Sequence, residues 1–225
     1  MSLSELSRSI AGSAALVTGA ASGMGRATAR LFADEGARLA LLDINAEKLA
    51  EVAGEIRTAG VEVVTITVDL SDRLAVEKAV NSAVDQLGGL DILVDNAGLI
   101  IPSEIDGAGY ANSWDTSFAV MATAQAWAIR AALPALRQAR HPRVVNLAST
   151  EALGATRFAS ADTVAKHASV GLTRAMAVDL GKEGITVNCV CPGPIHTAIT
   201  ADIDDDDKRV FAGRRTALRR YGEPE

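Results

Sequence analysis

A glycine-rich octapeptide, Thr18-Gly19-Ala20-Ala21-Ser22-Gly23-Met24-Gly25, follows a short apolar run and opens a helical pattern. Glycines here allow a tight turn and let the backbone approach a ligand with no Cβ in the way. A helix starting near Gly23 aims its free N–H groups and the positive end of its dipole at that ligand, which suits a pyrophosphate. Turns need glycine in any case; a strand before and a helix after are what make the segment, from Gly19 through Ser22, Gly23, Met24 and Gly25, a dinucleotide cradle. Asp43 lies about twenty residues further on, at the end of the next strand and ahead of Ile44. A carboxylate there can accept from both hydroxyls of an adenosine ribose and repels a 2′-phosphate. No arginine or lysine lies within the glycine turn or immediately after Asp43. The cofactor expected is NAD rather than NADP.

Other reactive side chains carry weaker signals. Cys189 and Cys191 are one residue apart in a strand pattern, so both face the same way. Such neighbours rarely form a disulfide, and there is no second pair to complete a thiolate metal site, so they read as buried structural thiols. His141, His167 and His196 have no metal-ligand spacing, and no metal is expected. His196 is either a plain loop residue or a contact near the cofactor.

These residues need elements to hold them. Strand patterns at 14–18, 38–43, 61–69, 91–96, 143–149 and 186–190 alternate with helical ones. The helices fall at 23–36, around Leu49, Val52 and Ile56, around Val76, Val80, Val84 and Leu87, at 112–140 and at 160–182. Pro134 marks a break near the end of the longest. Strands apolar on both faces imply a parallel sheet covered by helices on each side. Right-handed crossovers then give an α/β, Rossmann-type doubly wound sheet. With no internal repeat and no linker, residues 1–225 read as a single domain.

Composition agrees. Apolar residues make up 48% and charged residues 22% of 225, the balance of a globular protein. The net charge of −6 argues against a nucleic-acid partner. No apolar run approaches the roughly 20 residues of a membrane helix, and residues 1–12 lack a leader pattern, so a cytoplasmic location is expected. Residues 204–208, four aspartates and a lysine ahead of a basic stretch, read as a solvated, self-paired surface.

Four segments in order carry a resemblance. Thr18 to Gly25 matches a TGxxxGxG turn. Asp69-Leu70 resembles a pair that contacts adenine, and Asp95-Asn96-Ala97-Gly98 resembles an NNAG segment. Pro192-Gly193-Pro194-Ile195-His196-Thr197 is similar to the PG segment beside a nicotinamide. Together they identify the chain as similar to the short-chain dehydrogenase/reductase family along almost its whole length. The resemblance implies hydride transfer between a nicotinamide cofactor and a small alcohol or ketone. It also implies a homodimer or homotetramer through the alanine-rich helices at 119–139 and 163–178. Members continue to a seventh strand that this sequence lacks, so strand six is expected at the sheet edge.

The resemblance places the catalytic serine at Ser149 and the lysine at Lys166, which would also bind ribose. The family's tyrosine, four residues before the lysine, falls on Asp162, and its spacing of thirteen from Ser149 fits the family. The only tyrosines, Tyr110 and Tyr221, are distant in sequence. A family asparagine that helps hold a water falls on Met121, which has no amide. An aspartate has a reference pKa near 4 against about 10 for tyrosine, and a neighbouring lysine would lower it further, giving an ion pair with no proton to donate at neutral pH. The resemblance therefore implies an NAD-dependent dehydrogenase impaired at Asp162, the alternative being an inactive cofactor-binding or scaffold protein. Glu151, Leu153, Ile100 and the residues after Thr197 are expected to line the substrate site.

Overall fold

Alternating apolar residues in each strand send side chains to opposite faces, and the computed structural model, which describes residues 9–225, shows both faces covered. Most of the amino-terminal stretch read as lacking a leader falls outside the described residues. Six parallel strands form one sheet, β1 (Ala14–Thr18), β2 (Arg38–Asp43), β3 (Val63–Thr67), β4 (Ile92–Asp95), β5 (Arg143–Leu147) and β6 (Thr186–Val190), in the order β3-β2-β1-β4-β5-β6. Ala15 and Val17 of β1, with Leu39 and Leu41 of β2, pack under α1 (Gly23–Asp34) and α2 (Ala46–Thr58). Leu16 and Leu42 point the other way, onto α3 (Arg73–Leu87) and α5 (Ala124–Leu136), a face that β5 and α6 (Ser160–Leu180) extend. Truncating a fully buried leucine such as Leu16 or Leu41 to alanine removes about 2–5 kcal/mol of stability. β6 forms one edge of the sheet, where Val190 is half exposed.

The helix ends differ in how they are capped. Asn45 caps α2 by accepting from the Lys48 N–H at 3.0 Å. Asp72 caps α3 through Leu74 and Ala75, and Gly88 ends it in the left-handed region at φ 70°. Ser22, ahead of α1, makes no side-chain cap, which leaves the first-turn amides of α1 free for another acceptor.

The long region expected as one helix is divided. It runs as α4 (Tyr110–Phe118), a π-helical turn (Ala119–Thr123) around the fully buried Met121, and α5. The break expected at Pro134 does not occur there. Pro134 lies inside α5, which is held by Ala128, Ile129, Ala132 and Leu136 packed in the core and continues to Leu136. Packing of an apolar face outweighs the lost hydrogen bond. Cys189 and Cys191 are free and half-buried rather than buried, because β6 is an edge strand. No helix among the described residues is long and apolar enough to cross a membrane.

One polar residue sits deep in this framework. Asp95, last in β4, is fully enclosed and its Oδ2 has no hydrogen-bond partner, so burial holds its carboxyl protonated well above the usual range. A carboxyl raised in the folded state loses stability as the pH climbs through the unfolded value, about 4, toward the folded one. Asp95→Asn should therefore match the wild type near pH 4 and exceed it at pH 8, by on the order of 1–3 kcal/mol, the scale of an unpaired buried polar group. Urea titrations across this range measure it; parallel pH profiles for the two proteins would refute the protonated state.

Candidate active site

In the order β3-β2-β1-β4-β5-β6 the chain reverses its winding between β1 and β4, and a crevice opens beyond the carboxyl ends of those strands. The glycine turn and the Asp95–Gly98 segment meet there. Asn96 Nδ2 donates to the carbonyls of Thr18 (2.9 Å) and Gly19 (3.2 Å). In return, the N–H groups of Asn96 and Ala97 donate to Thr18 Oγ1 at 3.0 and 3.1 Å. Gly19 adopts φ 64°, and a Cβ on it would lie 2.7 Å from Ala97 Cα. Gly25 packs its Cα side directly on the Gly19 carbonyl, leaving no space for a side chain.

Above this junction lies a cleft of about 550 Å³. Gly19, Ser22, Gly23 and Met24 line it from the turn, Asp43 and Ile44 from the end of β2, Asp69 and Leu70 from beyond β3, and Asn96, Ala97, Gly98 and Thr197 from the far side. Gly25 lies beneath the surface, as do Thr18, Ala20 and Ala21 of the same motif. Asp43 is fixed by the backbone: Oδ2 accepts from the Ala21 N–H at 3.0 Å and Oδ1 from the Asn45 N–H at 2.9 Å. Each oxygen keeps a lone pair for the cleft. Among the described residues no lysine or arginine lines this cleft.

The cleft continues, past Met24, Asn96, Gly98 and Thr197, into a second cavity of about 690 Å³. Ser149, Asp162 and Lys166 share its wall with Pro192, Gly193 and Ile195. Ser149 follows β5 and its Oγ accepts from the Glu151 N–H at 3.1 Å, which leaves the hydroxyl proton free to donate. Asp162 and Lys166 sit one turn apart on α6, each only 7% exposed. Lys166 Nζ donates to the Leu147 carbonyl at 3.0 Å, and Gly98 and Met121 lie close by. Burial pulls the Lys166 pKa down, partly offset by Asp162 and then the two cysteines.

Here the structure corrects the sequence reading. The expected ion pair is not made, since the Lys166 ammonium bonds to a backbone carbonyl instead of the Asp162 carboxylate. The Asp162 pKa moves up, not down, to about 6: burial is the largest effect, Lys166 opposes it, and Glu151 adds to it. Glu151 lines the cavity and is held by hydroxyl donors, Thr156 Oγ1 at 2.6 Å and Thr163 Oγ1 at 3.0 Å. Ile100 lines it too, as do Ile199, Thr200 and Ile203 beyond Thr197. Leu153 does not: it follows the 3₁₀ turn Thr150–Ala152 and points into solvent, 72% exposed.

The sequence gives no hint that Tyr221 belongs here. The parallel bridge between Ile195 and Gly222, closed by His196 N–H to Gly222 O and Gly222 N–H to Pro194 O at 2.9 Å each, brings it into the cavity wall. Its ring lies 5.1 Å from that of His196. Tyr110 stays outside, its hydroxyl accepting from Ser160. Helix α7 (Asp205–Arg215) roofs the cavity with Asp207, Val210, Phe211, Arg214 and Arg215. The acidic run at its start is self-paired as expected, with Lys208 on Asp205 and Arg209 on Asp206, and Asp204 caps the helix.

Residues 13–208 match the short chain dehydrogenase family. The chain belongs to that family. It is 36% identical over 214 residues to a (2S)-[(R)-hydroxy(phenyl)methyl]succinyl-CoA dehydrogenase subunit of Thauera aromatica, covering 94% of this chain and 84% of that one. It is 35% identical over 210 residues to the meso-2,3-butanediol dehydrogenase of Serratia marcescens, covering 93% and 82%. Among solved structures, carveol dehydrogenase from Mycobacterium avium in complex with NAD superposes with a TM-score of 0.82 at 32% identity, over 90% of this chain and 77% of that one. A short chain dehydrogenase from Burkholderia cenocepacia in complex with NADP gives 0.88 at 32% identity, over 96% and 87%. The chain is thus an oxidoreductase of the short-chain dehydrogenase family.

The contact beneath the glycine turn gives a direct test. Gly25→Ala drives a methyl into the Gly19 carbonyl and the Asn96 amide. Overpacking of this kind costs about 1–3 kcal/mol. The variant should melt at lower temperature and bind NADH at least tenfold more weakly, measured by calorimetry. Unchanged binding would show that the turn can shift without disturbing the cleft.

Proposed function

We propose that this chain is an NAD-dependent dehydrogenase that interconverts a small secondary alcohol and its ketone, with Asp162 at the position of the family's tyrosine as the proton-exchanging group. The observation that carries the reading is continuity. The cleft that holds the glycine turn and the Asp43 carboxylate shares Met24, Asn96, Gly98 and Thr197 with a second chamber walled by Ser149, Asp162 and Lys166. The residues present fit the cofactor. The uncapped first turn of α1 offers amides to a pyrophosphate, Gly19 and Gly23 line the cleft without side chains, and residues of the Pro192–Thr197 segment line the adjoining chamber.

A nicotinamide held here would supply the hydride acceptor for the alcohol carbon, the balance being alcohol and NAD⁺ to ketone, NADH and one proton. Ser149 donates a hydrogen bond to the reacting oxygen and fixes its position. Asp162, ionised above pH 6, takes the hydroxyl proton and passes it to solvent. Lys166, anchored by the Leu147 carbonyl, holds ribose hydroxyls and favours the ionised carboxylate. The same ionisation handicaps the reverse reaction, because reduction at neutral pH needs a proton that Asp162 no longer carries. Met121 adds to the impairment by removing an amide from beside Lys166.

The pH profile separates this from other proton routes. A carboxyl of pKa about 6, raised by burial and Glu151 and lowered by Lys166, makes alcohol oxidation rise through pH 6 and carbonyl reduction fall through it. Asp162→Asn should abolish both limbs. Asp162→Tyr should raise the reductive rate at pH 7 by about 10²–10⁴-fold, the range of general acid catalysis, with Met121 holding it toward the lower end. Full activity in Asp162→Asn would overturn the assignment, and loss in Tyr221→Phe instead would move the proton chemistry to Tyr221.

Solved relatives hold NAD in one case and NADP in another, so the preference rests on Asp43. Its carboxylate is anchored by two amides and faces a cleft without basic residues, which repels a 2′-phosphate. Calorimetric titration should show NADH binding at least tenfold tighter than NADPH, and Asp43→Ala should narrow the gap. Equal affinities in the unaltered chain would exclude the ribose role.

A further inference from the structure

The second chamber is lined by polar groups of two kinds, the buried Asp162 and Lys166 with Ser149 beside them, and the solvent-exposed Arg157, Arg214 and Arg215; Leu99, Ile100, Leu147, Val210 and Phe211 add apolar wall. Three guanidinium groups around one opening run against the net charge of −6. They come from two separate parts of the chain, the loop after Glu151 and the last turn of α7, so sequence adjacency does not explain the cluster.

Among the described residues no carboxylate pairs directly with any of the three. Arg26, Arg73, Arg137 and Arg209 each pair with a neighbouring acid, but among the described residues neither Arg157 nor Arg214 has a carboxylate within 4.0 Å. Glu151 is occupied by the hydroxyls of Thr156 and Thr163. Asp162 is buried, one turn from Lys166. Asp207 is seven residues from Arg214 on the same helix, about 10 Å along its axis, beyond pairing reach.

The rim is also held in place. Arg215 Nη2 donates to the Ala155 carbonyl at 2.7 Å and fits over Gly154, which ties α7 to the loop carrying Arg157. In that loop Phe158 adopts φ 64°, a conformation in which a bulky residue is strained and which persists only where its surroundings impose it. The Ser103 N–H, donating to the Phe158 carbonyl at 2.9 Å, is one such constraint, and the Arg157 guanidinium stacks 4.3 Å over the Phe158 ring. A strained backbone that fixes an unpaired arginine at the mouth of a cavity is suited to receiving an anion, which guanidinium groups bind through paired hydrogen bonds.

We propose that the alcohol or ketone carries an anionic group, a carboxylate or a phosphate, at the end remote from the reacting carbon, and that Arg157 and Arg214, with Arg215 bracing the loop, receive it. This rests on the dehydrogenase reading of the same chamber. The apolar wall sets the distance between reacting carbon and anion, so the substrate has an aliphatic or aromatic middle.

The test uses the chain saturated with NADH at pH 5.5, where Asp162 still carries its proton and reduction is open, and follows both nicotinamide fluorescence and NADH consumption. The probes are methyl ketones of increasing chain length ending in a carboxylate, a phosphate or a methyl ester. At the best length one of the anions should bind roughly tenfold tighter than its ester, the scale of a charge-assisted hydrogen bond, and the better anion identifies the natural group. Added salt should weaken the anion and spare the ester. In the double variant Arg157→Gln/Arg214→Gln, checked for an unchanged melting temperature, the affinity for the anion should fall to that of the ester. Anion binding without NADH consumption would support the rim and overturn the dehydrogenase reading. Consumption of acid and ester with equal kcat/KM would support the dehydrogenase and overturn the rim. An anion preference that survives in the double variant would also overturn it.

Discussion

Everything at the site depends on how the ends of two neighbouring strands are tied together. β1 and β4 are adjacent in the sheet but far apart in sequence, and at their carboxyl ends the Asn96 amide bridges the carbonyls of Thr18 and Gly19 while Thr18 Oγ1 collects two amides in return. These partly buried groups would otherwise have to find other partners, and leaving them unpaired is costly. The bridge therefore sets the position of the glycine turn and, through it, the N-terminus of α1. Gly25 completes the junction by letting α1 rest on the Gly19 carbonyl. The crevice is thus a consequence of strand order, and its depth a consequence of one side-chain amide and two missing Cβ atoms.

The chemistry at the other end is governed by a competition between burial and charge. Asp162 and Lys166 are both almost fully enclosed, and each would be more stable neutral in isolation. Their mutual attraction opposes this but does not prevail for Asp162, whose pKa still rises to about 6, because Lys166 is drawn to the Leu147 carbonyl and Glu151 adds a like charge nearby. Lys166 is also pulled down by burial. Both groups therefore come closer to neutrality than they would at the surface, which is the condition under which a side chain exchanges protons readily. A tyrosine at this position would need a cation to lower its pKa; an aspartate needs burial to raise it.

The parts legible in the sequence are those whose signal is local. The glycine turn, the aspartate at the end of β2 and the alternation of apolar strands with amphipathic helices all follow from residues within a few positions of one another, and the structure places them as the pattern implies. The sign of the Asp162 shift was not legible, because a Coulombic argument needs only a neighbour at i+4, whereas desolvation depends on everything packed around the group. Tyr221 was invisible for a similar reason. Its place in the wall is set by a single bridge between Ile195 and Gly222, and nothing in the composition of either segment announces the pairing. The π-helical turn around Met121 and the uninterrupted passage of α5 through Pro134 likewise reflect packing overriding propensity.

The region after Thr197 shows how specificity can be added to such a framework without disturbing it. The core strands and their helices place cradle and floor with backbone contacts that leave little freedom for side-chain change. The roof is built differently. α7 is a short helix with a charge gradient matched to its dipole, three aspartates in its first turn and two arginines in its last, and so gains stability from its own ends as well as from core contacts. Only Ala212 of this helix is fully buried, leaving Asp207, Val210, Phe211, Arg214 and Arg215 to face the chamber. Substitutions at those positions change the lining of the chamber without touching the sheet, whereas any change at Gly25 or Asn96 acts on the whole cleft. The cleft and the roof of the chamber are thereby built by separable parts of one chain.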